Sequence, residues 1–204
     1  MGQSNKSPES VSMHSIGLLV DELEQILFTS EPMRTLLMET SKLGLADYYI
    51  GAGCVAQTVW NYQLGLDLSY GISDYDVVYY NSSDLSVEAE LQVFEKLKDS
   101  IGEGKVSLDV RNQARVHLWY REYFGYNISP YSSVEDAIDT WPTTATSVGV
   151  RLENEELKVY APFGLDDLFE MIVRANKAQI TEEIYKEKIC KWRTKWPSLT
   201  VIPW

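Results

Sequence analysis

A short aromatic and apolar stretch, Tyr48-Tyr49-Ile50, stops at Gly51-Ala52-Gly53, and a helical pattern runs from about Val55 to Leu64 before Gly65. Strand, tight glycine turn and helix in that order constrain the chain strongly. The strand must enter a sheet, and the helix must pack back on it. The alternation continues. Asp74 to Tyr80 (DYDVVYY) is β-branched and aromatic, as strands are. Ser86 is placed to cap a helix to about Ser100, with Glu88 and Glu90 near its positive end. Val106 to Val110 predicts the next strand, and a helix follows around 112–123. The expected class is α/β (α+β), with a mixed central sheet flanked by helices.

The remaining chain fits one domain. Residues 1–12 are polar and are expected to form a flexible leader. Apolar positions at helical spacing mark 16–28, and Ser30-Glu31-Pro32 restarts a helix that ends near Gly44. Ser133 caps a short helix that must end before Pro142. Residues 145–152 and 157–160 flank Glu153-Asn154-Glu155-Glu156 as a hairpin. Phe163-Gly164-Leu165-Asp166-Asp167 turns into a helix, and a last helix runs from Thr181 to about Trp196. Residues 13–204 are therefore expected to form a single domain with a C-terminal helical extension over about 166–204.

Charge and composition remove several classes. The formal net charge is −12, against a surface that grips nucleic acid everywhere. No apolar run approaches the roughly 18 residues of a membrane span, and the first residues lack a signal-peptide core. Lys6 stands where a myristoylation signal wants Ser or Thr. Two cysteines and two histidines do not make a zinc site or a disulfide framework. The expectation is a cytoplasmic protein with no membrane and no zinc.

Asp74 and Asp76 are two apart on a strand pattern, so both project to one face. Adjacent carboxylates repel, and a cation between them removes the repulsion. An all-oxygen set suits Mg²⁺, which takes its remaining ligands from water and substrate phosphates. Asp109, on the next strand, reaches the same ions if the two strands pair. Two cations about 4 Å apart then clamp the attacking and leaving oxygens of an in-line displacement. Upstream, Gly51, Ala52 and Gly53 form a turn that lets a phosphate approach the backbone, with a helix N-terminus aimed at it. A bare D-x-D or G-x-G also serves turns and packing; the ordered combination is more specific than its parts.

Other residues admit two roles. Arg115 is positioned to meet a phosphate or to pair with an acidic neighbour, and Asn112 to meet a sugar or base or to cap a helix. His117 fits a hydrogen-bonded interior position better than a catalytic base. Cys54, at a helix start, is reactive if its pKa is lowered and a packing residue otherwise. Thr143 and Thr144 are candidate nucleotide contacts, and Arg151 a candidate phosphate contact. Asp166 and Asp167 fit helix caps better than metal ligands. Between Arg174 and Lys195 stand seven basic and three acidic residues. Tyr185, Ile189, Trp192 and Trp196 give that helix one apolar face, expected to dock on the domain with the basic face outward.

The whole pattern resembles the nucleotidyltransferase superfamily of DNA polymerase beta and the CCA-adding enzymes. Ile50-Gly51-Ala52-Gly53-Cys54-Val55 looks like the glycine turn of the CCA-adding head domain, and Ser73-Asp74-Tyr75-Asp76-Val77 like its metal-binding strand. Ala161-Pro162-Phe163-Gly164-Leu165-Asp166-Asp167-Leu168 looks like its later turn. More closely still, the chain resembles a family of small bacterial nucleotidyltransferase-like proteins, over roughly residues 45–200. The resemblance implies a polymerase beta-like head fold. It also implies a two-metal site of Asp74, Asp76 and Asp109, holding two Mg²⁺ ions with Mn²⁺ as the substitute. Gly51, Ala52, Gly53, Asn112 and Arg115 would bind a nucleoside triphosphate, and its nucleoside monophosphate would pass to an acceptor.

Three departures accompany this resemblance. Ala56 and Gln57 stand where CCA-adding enzymes carry an Arg-Asp pair. Trp141-Pro142-Thr143-Thr144 replaces the arginines before the Thr strand, and no neck, body or tail domain follows. They favour a small-molecule or protein acceptor over tRNA. They also keep open a rival reading, a nucleotide- or protein-binding module without turnover.

Overall fold

The computed structural model describes residues 8–102, 104 and 106–204, without the side chains of 8–16. Helix α1 (Pro8–Thr29) is followed by α2 (Glu31–Ser41), strand β1 (Tyr48–Gly51) and α3 (Gly53–Gln63). Next come β2 (Tyr75–Tyr79), α4 (Val87–Ile101), β3 (Leu108–Asn112) and, after one 3₁₀ turn, α5 (Val116–Phe124). Short α6 (Val134–Ile138) leads to the hairpin β4 (Gly149–Glu153) and β5 (Glu156–Tyr160). The chain ends with α7 (Asp166–Phe169), β6 (Ile172–Val173), α8 (Glu182–Lys195) and β7 (Thr200–Val201).

Five strands form one mixed sheet in the order β3-β2-β1-β4-β5. Only the β2–β3 pair is parallel, and it sets Asp76 beside Asp109. Neighbours in register point to the same face, so the pairing on which the three-carboxylate expectation depended is present. Strand β1 runs antiparallel to both β2 and β4, with Gly51 opposite Asp76 on one side and Gly149 on the other.

The two faces of the sheet are covered differently. Tyr75, Val77 and Tyr79 of β2 join Ile50, Val110 and Val150 in the main core, against buried Leu23, Leu27, Leu37, Val59 and Leu97 of the helices. Each such side chain contributes about 1.5–3 kcal/mol by leaving water. The alternate residues Tyr49 and Val78 face the other way and pack on Val134 and Ile138 of α6. Asp76 and Asp109 lie on this second face.

The C-terminal helix docks as its apolar stripe requires. Tyr185 and Trp196 are fully buried. Trp60 lies edge-on to both Trp192 and Trp196, with centroids 5.6 and 5.7 Å away. Trp196 Nε1 donates to Asn61 Oδ1 at 2.7 Å, and Tyr185 Oη lies within hydrogen-bond distance of the carbonyls of Val173 and Ile202, at 2.8 and 2.6 Å. Residues 166–204 thus share the main core.

Several boundaries differ from the sequence expectation. Helix α1 begins at Pro8, so 8–12 are helical where a leader was expected; residues 1–7 lie outside the described residues. Proline at the first helical position loses no hydrogen bond, so a polar sequence suffices to start the helix. Strand β3 is shifted two residues later, to Leu108–Asn112. Residues 144–146 form a 3₁₀ turn held by Thr143 Oγ1 against Thr146 Oγ1, and β4 starts only at Gly149. The parallel ladder of β6 and β7 was not anticipated, because two residues carry no periodicity.

Candidate metal and phosphate site

Asp74 precedes β2, Asp76 lies in it, and Asp109 lies beside it in β3. One carboxylate oxygen from each falls within 4.8 Å of the other two. Asp74 is exposed; Asp76 and Asp109 are half-buried. Burial, reinforced by the charges of Asp74 and Asp109, pushes the Asp76 carboxyl up to about 8. Hence Asp76 holds a proton at neutral pH unless another cation takes its place. Three hard oxygen donors around a strained buried charge fit a divalent cation.

Two basic side chains approach from elsewhere in the chain. Arg111, two residues beyond Asp109 on the same face of β3, places Nε 2.6 Å from Asp109 Oδ1. Lys188 comes from α8 and shares a cavity wall with Asp76 and Ala52. Burial pulls its ammonium down, and the fields of Asp76 and Asp74 partly restore it. Sequence reading missed both residues in this role. Arg111 was detectable from its i+2 spacing to Asp109. Lys188 was counted in an outward basic face, and its inward placement depends on how α8 docks.

The glycine turn meets the site at the end of β1. Gly51 is packed on its own account: a Cβ there would lie 2.5 Å from the Val148 carbonyl and 2.8 Å from the Trp141 ring. Ala52 sits at φ 57°, ψ −130°, and its N–H donates to Val148 O at 3.1 Å. The turn's conformation is therefore held by the protein itself. What it presents outward is the start of α3 at Gly53, whose leading N–H groups have no partner within the helix. The helix start follows directly on Gly51, which is paired with Asp76 of β2, and a helix N-terminus of this kind suits an anion.

The structure shows Asn112 and Arg115 in the structural one of their two expected roles, with Arg115 also bordering the groove beside Asp109. Asn112 is buried; its Oδ1 accepts from the N–H groups of Asn81 and Ala114, and its Nδ2 donates to the carbonyls of Asn81 and Asp84. Arg115 is buried with Glu90, its Nη1 donating to Oε1 at 2.7 Å. Glu90 Oε2 accepts from Asn112 N–H at 2.7 Å, so these residues lock α4 to the end of β3.

The remaining candidates separate from the site in the same way. Arg151 lies over the Tyr49 ring at 4.7 Å and near Asp47, Glu135 and Glu153, so it is no phosphate contact of this site. Thr144 donates to Asp167, and Asp167 also takes Arg174. His117 is half-buried, with Nδ1 unpartnered among the described residues. Cys54 is fully buried, its thiol donates to Gly51 O at 3.0 Å, and burial pushes its pKa up, which removes the reactive-thiolate reading.

A mixed sheet that presents an acidic trio beside a helix N-terminus is the layout of a nucleotidyl-transferring head domain. A solved structure described as revealing a CCA-adding enzyme head domain has this fold. It aligns with a TM-score of 0.72 and 28% identity, over 89% of this chain and 96% of that one. The family model described as Nucleotidyltransferase matches residues 38–201, and the chain belongs to that family. No curated protein matches it. No described helix is long and apolar enough to cross a membrane.

Proposed function

We propose that the protein is a cytoplasmic, Mg²⁺-dependent nucleotidyltransferase that moves a nucleoside monophosphate from a nucleoside triphosphate to an acceptor. The observation that carries this reading is the convergence of Asp74, Asp76 and Asp109 within 4.8 Å at the edge where α3 begins. These three would hold the metal: two Mg²⁺ ions, with Mn²⁺ as a substitute. When bound, the ions supply charge neutralisation and polarisation at the oxygens on either side of the transferred phosphorus.

The chain's own contribution is positioning. The leading N–H groups of α3 bind the terminal phosphates. Lys188 and Arg111 supply positive charge beside an acidic site. Asp76 would release its proton to solvent on holding a cation. The acceptor hydroxyl releases its proton to solvent as its oxygen forms a bond to the α-phosphorus, the bond from that phosphorus to the bridging oxygen breaks, and pyrophosphate leaves. The net acidity of the chain favours a small-molecule or protein acceptor over tRNA.

The test is incubation of the protein with labelled nucleoside triphosphates and Mg²⁺. The expected result is metal-dependent nucleotide binding and label transfer to an acceptor pool, lost in Asp74→Ala. Absence of triphosphate binding, with Asp74→Ala indistinguishable from the native protein, overturns the reading. Metal-dependent nucleotide binding without transfer to any acceptor supports instead a binding module without turnover. The buried Ala56 and Gln57, where the family pattern carries an Arg-Asp pair, favour that alternative.

A further inference from the structure

Strand β3 is an outer strand of the five-stranded sheet, with β2 on one side and no other described strand beside it. Its register with β2 sorts its backbone groups. Ser107 O accepts from Tyr75 N–H across the parallel pair, and the direction of the polar groups alternates along a strand. The N–H and C=O groups of Asp109 and Arg111 therefore turn to β2, and those of Leu108 and Val110 turn to the open edge. Asn112 follows the same alternation: its outward N–H is taken by Glu90 Oε2 at 2.7 Å. The edge groups of Leu108 and Val110 have no such partner among the described residues.

A groove runs along this edge. Leu108, Asp109, Val110 and Arg111 together border a space of about 300 Å³. Successive strand residues point to opposite faces, so four in a row border one space only where it opens at the rim of the strand. Val87, Leu91 and Phe94 of α4 form its other wall. Val87 and Leu91 are 58% and 53% exposed, although both are apolar. The groove continues at both ends. Towards α5 it shares Val87, Glu90, Asp109 and Arg111 with a space of about 780 Å³, walled by Trp119, Tyr123 and Phe124. The other way it shares Phe94 and Leu108 with a space of about 110 Å³ that reaches Lys98 and Val106. One largely apolar channel thus follows the strand and passes Asp109 of the acidic trio.

We propose that this channel binds an extended segment of another protein, which adds to the sheet as a sixth strand beside β3. Unpaired edge groups at alternate residues match the backbone of a strand, and the apolar walls take every second side chain. Charge complementarity adds a preference. Asp109 is held by Arg111 and Glu90 by Arg115, whereas Glu122 in the same groove has no ion-pair partner among the described residues. It calls for a basic side chain on the segment. A second copy of this chain fits less well. It carries the same helices α4 and α5 beside its own β3, and these crowd an edge-to-edge pairing that a single extended chain escapes. An added strand puts alternate side chains on the face of Asp109. A hydroxyl side chain there is the acceptor, releasing its proton to solvent as its oxygen bonds the α-phosphorus and pyrophosphate leaves. That acceptor role rests on the nucleotidyltransferase reading above; the docking does not.

The experiment pans a displayed library of random linear peptides against the whole chain, without nucleotide or metal, and measures the enriched peptides by calorimetry. Leu91→Lys places a charge at an exposed position of the wall. Leu108→Pro deletes an edge N–H and no bond to β2. Each should weaken the peptides by about tenfold or more. Thermal melting establishes that the variants are folded, and Leu91→Lys serves alone if Leu108→Pro is not. Hydrogen exchange at Leu108 and Val110 should slow when peptide binds. N-methylation of alternate peptide residues should abolish binding in one phase and spare it in the other. Absence of enriched peptides overturns the docking, as does binding that every folded variant leaves unaltered. Protection of Leu108 and Val110 that rises with protein concentration alone overturns it in favour of a second copy. Binding of ATP, GTP, CTP and UTP with Mg²⁺ is measured separately. Triphosphate binding without peptide binding overturns the docking and leaves the reading above intact. Peptide binding without triphosphate binding supports the docking and overturns the acceptor role.

Discussion

Arg111 holds Asp109 through a 2.6 Å contact between Nε and Oδ1, two positions apart on one face of a single strand. The guanidinium is about half exposed and lies 5.8 Å above the Trp119 ring. It therefore acts as a resident counter-charge that an arriving cation must share. Arg111→Gln removes the competitor and should tighten Mg²⁺ binding in the absence of nucleotide by about fivefold, the scale of a partly exposed ion pair near 1 kcal/mol. Calorimetric titration with Mg²⁺ reads this directly. Weaker Mg²⁺ binding by the variant contradicts the competition.

Asp76 makes the metal-free protein sensitive to pH. Its carboxyl is raised from an ordinary 3.8 to about 8 in the folded chain, by burial first and then by Asp74 and Asp109. Below the unfolded value both states hold the proton and the group is neutral to stability. Between roughly 4 and 8 the unfolded chain gives up the proton and the folded chain keeps it, so rising pH favours unfolding. Metal-free stability should fall across that window. Asp76→Asn should flatten the fall and raise stability at pH 8 by about 1–3 kcal/mol. Mg²⁺ displaces the proton, so its binding should strengthen as pH rises towards 8. Denaturant unfolding at several pH values, with and without Mg²⁺, tests all three.

Glu90 and Arg115 predict a loss of folding rather than of affinity. Their buried pair carries the Asn112 backbone as a third member. Glu90→Ala leaves a buried guanidinium uncompensated and should cost about 3–5 kcal/mol. Arg115→Ala should be comparably damaging, because Glu90 is then stranded. A fully stable Arg115→Ala protein that binds triphosphate poorly would restore Arg115 to the site.

The glycine turn yields a paired prediction. Gly51→Ala forces a methyl onto the Val148 carbonyl and the Trp141 ring, so it should destabilise the fold by more than about 2 kcal/mol. Ala52→Gly releases an alanine held at φ 57° and should stabilise by about 1 kcal/mol. Thermal melts of the two single variants suffice, and opposite signs are expected at adjacent positions.

The three carboxylates could be read from the sequence because strand alternation fixes facing, and facing is local. Only the pairing of β3 with β2 had to be supplied, and that pairing is present. The C-terminal helix was readable from its spacing of Tyr185, Ile189, Trp192 and Trp196 for the same reason. The structural role of Asn112 and Arg115 could not be singled out in the sequence because their partners, Asn81, Asp84 and Glu90, lie 25–31 positions away across a crossover. Nothing local distinguishes an arginine aimed at phosphate from one aimed at a buried glutamate. Lys188 was hidden by the opposite difficulty. Its helix was recognised, but a rotation of the docked helix decides which lysine turns inward. The cavity that Lys188 shares with Asp76 had no signal at all, since Trp119, Trp141 and Ile184 of its wall come from three separate elements and read individually as core.

The bond from Trp196 to Asn61 joins residues 135 positions apart. It seats the segment that brings Lys188 to carboxylates laid down far earlier in the chain. Such a contact is slow to form, because a long loop must close before it returns any stabilisation. Lys188 and one wall of the cavity reach the acidic trio only where this long loop is closed, so a chain that lost the contact would lose part of the site without losing a carboxylate.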